Sequence, residues 1–144
     1  MFILGLTGSI GSGKSEAAKA FRALGCPVFD GDAEAHRLLA DDPSAIFDVA
    51  ALVPSAVSDG VVDRRALADH VFASPELLMS LESVLHPKIL ASAMGFLDQQ
   101  RAQGAALVVL EMPLLFETGI QSACSAVAVV TVSADVQDQR VMAR

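Results

Sequence analysis

The sequence has 144 residues and a mass of 15.0 kDa, the size of one ordinary domain, and 53% of its residues are hydrophobic against 19% charged. That composition supplies a packed core and excludes an intrinsically disordered or low-complexity chain. With 10 Lys and Arg against 17 Asp and Glu the formal charge is −7, which argues against a protein that wraps nucleic acid or coats an anionic membrane. There is no apolar run of membrane-helix length and no basic leader, and two cysteines are too few for a disulfide framework. We therefore expect a cytoplasmic protein.

The start of the chain has the pattern of a strand, a glycine-rich loop and a helix. Residues 2–7 form a short apolar run without helical period, which predicts a buried strand. From Lys14 onward apolar residues recur at helical spacing, and Gly25 follows where a helix-terminating glycine belongs. Residues 27–30 predict a second, brief strand that ends in acid. This order of elements opens a βαβ unit.

The middle of the chain is predicted to be helical. Three helices have a capping residue ahead of their first turn: Asp42, Asp63 and Ser74. We expect His86 and Pro87 to start a further, longer helix that ends near Gly104.

Strand patterns return in the last third of the chain. Residues 107–110 and 127–132 are continuous apolar runs, which suit a parallel sheet covered on both faces. Ser133 is placed to cap a final helix. The sequence therefore predicts a parallel α/β core with a helical insertion between its second and third strands.

Residues 8–15, GSIGSGKS, fit the phosphate-loop pattern G-x-x-x-x-G-K-[ST]. Glycines let such a loop fold so that backbone N–H groups point at phosphate oxygens, and the helix that follows adds its positive N-terminal end. Lys14 supplies an ammonium for the β- and γ-phosphates, and Ser15 offers a hydroxyl to Mg²⁺. The match also lies between a predicted strand and a predicted helix, so we interpret it as a nucleotide phosphate site.

The phosphate loop alone leaves several reaction classes open. A GTPase would carry a base-reading Asn-Lys-x-Asp string, which is absent. A motor ATPase usually has an acid at the end of its third strand; Glu111 fits that position, but the chain is very short for a motor. Glu111 either completes the coordination of Mg²⁺ or is a strand-end acid with no ligand, and both interpretations remain open.

A small-molecule kinase needs a group that takes a hydroxyl proton, an acceptor pocket and cations that screen the transferred phosphoryl group. Asp32 follows the second strand, where the carboxyl ends of parallel strands face the ligand crevice, so we favour it as the proton acceptor. We expect Asp30 to cap the strand or the next helix, and the alternative is that both acids are helix caps. Arg140 and Arg144 share a face of the last helix, either as phosphate ligands or as solvated surface residues.

Several segments together resemble dephospho-CoA kinases. The resemblance runs collinearly over essentially the whole chain, and LHP followed by PLLFE distinguishes this family from other phosphate-loop kinases. The matching segments are residues 5–15 (GLTGSIGSGKS), 30–36 (DGDAEAH), 62–67 (VDRRAL), 85–87 (LHP), 113–117 (PLLFE), and 139–140 with 144 at the start of the lid.

The resemblance implies ATP- and Mg²⁺-dependent phosphorylation of the ribose 3′-hydroxyl of dephospho-CoA, the last step of coenzyme A synthesis. It implies that Asp32 orients or deprotonates that hydroxyl, that Ser15 holds Mg²⁺, and that Arg140 clamps the phosphates. Arg64 and His86 are assigned to the acceptor side, against plainer roles as a helix-surface residue and a cap before Pro87. The residues assigned to ATP are Gly11, Ser12, Gly13, Lys14, Ser15 and Glu16.

The implied fold is a P-loop NTPase core of parallel strands sandwiched by helices, with a partial lid. Residues 1–32 and 105–136 would form the nucleotide-binding core, 33–104 the helical acceptor-binding insertion, and 137–144 the start of the lid. Glu16 and Gly31 depart mildly from the family pattern. The chain stops where family members continue through the lid, a fifth strand and an adenine-contacting loop, so we expect an incomplete kinase.

Two alternatives remain open. The protein could phosphorylate another small metabolite, or it could be a nucleotide-binding fragment without catalysis. A sheet that lacks an edge strand leaves backbone groups unpaired, so such a fragment is expected to be poorly stable or to pair with another copy as a homo-oligomer.

Overall fold

A computed structural model describes residues 1–9, 11–113 and 115–142, except for the side chains of Gln137 and Arg140. In chain order the helices and strands are β1 (Phe2–Gly8), α1 (Lys14–Ala23), β2 (Val28–Asp30), α2 (Gly31–Asp41), α3 (Pro43–Leu52), β3 (Val57–Ser58), β4 (Val61–Val62), α4 (Arg64–Ala73), α5 (Pro75–Ala102), β5 (Leu107–Glu111), β6 (Ala126–Val130) and α6 (Ala134–Met142). Short 3₁₀ turns cover Pro54–Ala56 and Ile120–Ala123.

The chain divides into two compact units. The first comprises Met1–Asp32 and Ala93–Arg144, and the second comprises Ala33–Ser92. Compactness does not report which residues bind an acceptor, so the division by role, with an acceptor-binding insertion at 33–104 and a lid from 137, stays a prediction.

The first unit contains a four-stranded parallel sheet in the order β2–β5–β1–β6. Its central strand β5 is almost wholly apolar, and Val108, Val109 and Leu110 are fully buried, as expected for a strand covered on both faces. The register places Glu111 beside Leu6 on one neighbouring strand and beside Asp30 on the other. The predicted parallel α/β core is confirmed, and its strand ends gather at one edge of the sheet.

Helix α1 packs its apolar face on this sheet, where Ala18 joins Leu6 and Val109 in a buried cluster. The helix ends as the glycine pattern predicts. Gly25 has a φ of 83°, and the Gly25 and Cys26 N–H groups donate to the Arg22 and Phe21 carbonyls, which is a Schellman motif. Both cysteines of this unit are free, and burial raises the pKa of the Cys124 thiol above its ordinary value.

Three helices that begin in the second unit have local caps. The Asp42 carboxylate accepts from the Ala45 N–H at 2.9 Å, and the Asp63 carboxylate accepts from two N–H groups in the first turn of α4. Ser74 Oγ accepts from the Leu77 N–H at 3.2 Å at the start of α5. The three predicted caps are therefore confirmed.

The second unit contains a β-hairpin that the sequence analysis, which predicted only helices there, did not anticipate. Strands β3 and β4 form an antiparallel pair, with Val57 opposite Val62, joined at Asp59 and Gly60. Both joining residues have positive φ, 52° and 74°, as a type I′ hairpin turn requires. The Asp-Gly dipeptide was the sequence signal for this hairpin.

On α2, the Arg37 guanidinium donates to both oxygens of the Glu34 carboxylate at 2.7 and 2.9 Å. These hydrogen bonds hold the pKa of Glu34 below its ordinary value.

The prediction that His86 and Pro87 start a new helix was wrong. Helix α5 runs without interruption over Pro75–Ala102 with Pro87 inside it, so His86 is not a cap. Proline removes one N–H from the helix, and the carbonyl that would accept it belongs to Ser83, an exposed residue on the solvent side of α5. A buried apolar stripe at every fourth position continues through this point: Leu81, Leu85, Ile89, Ala93 and Leu97.

The remaining helix ends follow the sequence. Gly104 has a φ of 76° and ends α5, and Ser133 Oγ accepts from the Val136 N–H at 3.4 Å at the start of α6. Within the described ranges no helix has the length and apolarity needed to cross a membrane.

Candidate active site

The glycines of the phosphate loop are required by its shape. Strand β1 ends at Gly8 and α1 begins at Lys14, and between them Gly11 and Gly13 have φ values of 76° and 96°, which favour glycine. Gly8 is required for space, because a Cβ there would lie 2.5 Å from Ser12 Oγ and 2.7 Å from the Val130 carbonyl oxygen. Ile10 lies outside the described residues.

Ser12 carries a buried hydroxyl that faces no protein partner among the described residues. The residue is only 2% exposed, and its own N–H donates to the Ser9 carbonyl at 3.1 Å. Buried polar side chains almost always have a hydrogen-bond partner, so an orphaned hydroxyl inside a phosphate loop fits a site completed by its ligand.

Lys14 and Ser15 converge on one buried carboxylate. Lys14 Nζ and Ser15 Oγ each lie 3.3 Å from Glu111 Oε1 and donate to it. Glu111 is 3% exposed and Lys14 is 9% exposed, so this is an ion pair largely removed from solvent. Burying two charges costs desolvation energy that their attraction only partly offsets, which makes such a pair poor evidence of a purely structural role.

Asp32 lies at the open side of this pair. Its Oδ2 is 4.0 Å from Lys14 Nζ, and its side chain is 63% exposed. The Asp30 carboxylate instead has its Oδ2 3.8 Å from Arg22 Nη2. Of the two acids at residues 30 and 32, Asp32, which is favoured as proton acceptor, is thus the one beside the phosphate-loop lysine, and it is accessible to a substrate.

Of the other predicted residues, Glu16 directs its carboxylate to Lys19, at 3.0 Å on the exposed surface of α1. Arg64 is an exposed first residue of α4, and His86 is half-buried in α5, both in the second unit. The side chain of Arg140 lies outside the described part of the chain, as does Arg144.

The sequence alone left undecided whether Glu111 is a Mg²⁺ ligand or a strand-end acid with no ligand. The signal was present, because an acid that ends a buried central strand of a parallel sheet lies at the ligand edge. What the sequence did not give was the strand order, which places β5 directly beside β1 and so brings Glu111 to Lys14 and Ser15.

Comparison with known proteins agrees with this geometry. The sequence pattern of the dephospho-CoA kinase family matches residues 2–144. A dephospho-CoA kinase of Paramagnetospirillum magneticum is 49% identical over the whole of this chain, which spans 68% of that protein. The crystal structure of TT1252 from Thermus thermophilus is 42% identical and superposes with a TM-score of 0.80, covering 99% of this chain and 72% of that one.

A more distant structure, a dephospho-CoA kinase from Campylobacter jejuni, is 19% identical with a TM-score of 0.65 over 98% of this chain and 94% of that one, and shows the same fold. The phosphate loop, the acids at the ends of β2 and β5, and the match along residues 2–144 lead to one conclusion: the chain belongs to the dephospho-CoA kinase family.

Proposed function

We propose that the phosphate loop, Asp32 and Glu111 form the site at which this kinase transfers the γ-phosphoryl group of ATP to the ribose 3′-hydroxyl of dephospho-CoA. The family performs this reaction as the last step of coenzyme A synthesis. The observation that carries the proposal is the position of Asp32, exposed and 4.0 Å from the buried phosphate-loop lysine.

On the donor side, Lys14 and the loop residues Gly11–Ser15 hold the ATP phosphates. The orphaned Ser12 hydroxyl gains a phosphate oxygen as its partner, and Lys14 neutralises charge on the transferring group. Glu16 is assigned to ATP binding only through its position in the first turn of α1. Its carboxylate pairs with Lys19.

The donor set also fits Mg²⁺. The Ser15 hydroxyl and the Glu111 carboxylate are hard oxygen ligands of the kind Mg²⁺ takes, usually together with substrate phosphates. When bound, Mg²⁺ neutralises charge on the phosphate oxygens. Within the protein, Glu111 keeps the Ser15 hydroxyl and the Lys14 ammonium oriented toward one point.

On the acceptor side, Asp32 orients the 3′-hydroxyl and accepts its proton. A bond forms between the 3′-oxygen and the γ-phosphorus, and the bond from that phosphorus to the β,γ-bridging oxygen breaks, which releases ADP. Arg64 and His86 are assigned to acceptor binding, and Arg140 to the lid, through the family resemblance.

The test replaces Asp32 by Asn, which keeps the shape but removes the base. Asp32→Asn should lower kcat by about 10²–10⁴-fold while leaving ATP affinity intact. Asp41→Asn, at the exposed far end of α2, is the matched control and should behave as the wild type. Wild-type turnover in Asp32→Asn would remove Asp32 from the mechanism.

Acceptor identity is tested separately. With a panel of sugar, nucleotide and pantetheine-containing alcohols, ADP release should depend on dephospho-CoA. Faster release with another acceptor would favour the alternative of a different small-metabolite kinase.

A further inference from the structure

The first residue of α2 lies directly against the end of β5. A Cβ at Gly31 would lie 2.6 Å from Met112 Sδ and 3.2 Å from the Glu111 carbonyl oxygen, both closer than ordinary contact. Gly31 does not have the positive φ of the loop glycines, so its backbone would accept alanine. The restriction at this position is therefore one of space.

The β5 side of this contact is buried, and its backbone is held in the sheet. Met112 is 2% exposed, which leaves its side chain little room to move, and its N–H donates to the Leu6 carbonyl at 3.0 Å, which ties its backbone to the neighbouring strand β1. The Glu111 carbonyl belongs to the backbone of the central strand. Close-packed interiors transmit such a clash instead of absorbing it, so a side chain at residue 31 displaces the start of α2.

The residue that such a displacement moves first is Asp32. It follows Gly31 directly, and its carboxylate is 4.0 Å from Lys14 Nζ. We infer that Gly31 is a positioning residue for phosphoryl transfer, with Met112 as its size partner: the missing side chain at residue 31 lets Asp32 approach the phosphate-loop lysine. This inference rests on the proposed role of Asp32.

The experiment compares Gly31→Ala, Met112→Ala and the double variant in kcat, KM for both substrates, ATP affinity and Tm. Gly31→Ala should lower kcat by about 10- to 100-fold, because small misplacement of a reacting group is costly. ATP affinity should stay unchanged, because the phosphate loop is not touched. The fall in kcat should exceed what any fall in Tm explains, because the added methyl group strains the contact with Met112 without unfolding the protein at the assay temperature.

Removal of the Met112 side chain makes room for the added methyl group. The double variant should therefore recover kcat to within about threefold of Met112→Ala alone, a coupling expected of residues in contact. The matched control is Gly95→Ala, also a glycine inside a helix, where a Cβ would meet nothing within 4 Å. Gly95→Ala should keep the wild-type kcat.

The possible outcomes distinguish the positioning role of Gly31 from the proposed catalytic role of Asp32. Wild-type kcat in Gly31→Ala, with Asp32→Asn inactive, overturns the positioning role alone. A Gly31→Ala defect that the double variant does not relieve overturns the size pairing with Met112. Full turnover in Asp32→Asn overturns the proposed function on which the inference rests.

Discussion

The buried ion pair of the first unit and the helix caps of the second unit span very different separations along the chain. In the first unit, Glu111 accepts from Lys14 and Ser15, which lie 97 and 96 residues away in sequence. In the second unit, the Asp42 and Asp63 caps reach N–H groups three residues ahead. The local bonds satisfy helix ends that need partners in any fold. The distant bonds bury charge, which stability alone does not favour, and this difference supports the proposal that phosphoryl transfer takes place in the first unit.

The strongest test of this comparison removes the buried cation. Lys14→Ala should weaken ATP binding and lower kcat by about 10²–10³-fold, because it removes a charge aimed at the transferring phosphoryl group. Lys19→Ala removes an exposed lysine from the same helix and serves as the control. Calorimetric titration with ATP and initial rates would show the contrast, and unchanged ATP affinity in Lys14→Ala would contradict the phosphate-loop assignment.

A second test removes the buried negative charge that faces Lys14. Glu111→Gln should destabilise the nucleotide-free protein by about 1–3 kcal/mol, because Lys14 then keeps only the more distant, exposed Asp32 carboxylate as a counter-ion. ATP added without Mg²⁺ should raise Tm more in this variant than in the wild type, since a phosphate replaces the lost anion. Asp98→Asn breaks an exposed ion pair with Arg101 in the same unit and should change neither quantity. An equal Tm response in Glu111→Gln and wild type would mean that Glu111 and ATP do not share Lys14.

A third test concerns the local side of the comparison. Asp63→Ala removes the cap that accepts from two N–H groups and should cost about 1 kcal/mol of unfolding free energy. ATP affinity should not change, because the loss is confined to the first turn of α4. Denaturant unfolding and ATP titration of the same sample would check both. A cap variant that lost ATP binding would break the distinction between the units.

The smallest effect concerns Glu34 and its dependence on pH. Since the pKa of Glu34 is lowered from an ordinary value of 4.5 in the folded state, its pairing with Arg37 stabilises the protein above that pH. The stabilisation is lost as the pH falls through the lowered pKa. Glu34→Gln should thus lower Tm by about 2 °C near neutral pH, with the difference vanishing in acid. A Tm difference that grew on acidification would have the wrong sign.

The sequence predicted features that depend on local contacts better than features that depend on distant ones. The caps at Asp42, Asp63 and Ser74 and the terminating glycines Gly25 and Gly104 depend on neighbours a few residues away, and their predicted positions are confirmed. The phosphate loop was predictable for the same reason, since its glycines, lysine and serine are contiguous.

Two features could not be predicted from neighbouring residues alone. The contacts of Glu111 with Lys14 and Ser15 depend on β5 inserting between β1 and β2, a pairing between distant segments that no local pattern specifies. The continuation of α5 through Pro87 was missed because a local rule, proline as a helix breaker, was given more weight than the buried stripe that runs past it.

The most direct test of the account is a turnover measurement on this chain with ATP, Mg²⁺ and dephospho-CoA, with both products identified by mass. We predict ADP and coenzyme A in equal amounts, with ADP formation dependent on dephospho-CoA. Bound ATP with no phosphorylated product, or ATP hydrolysis indifferent to dephospho-CoA, would contradict the account and favour a nucleotide-binding chain without catalysis.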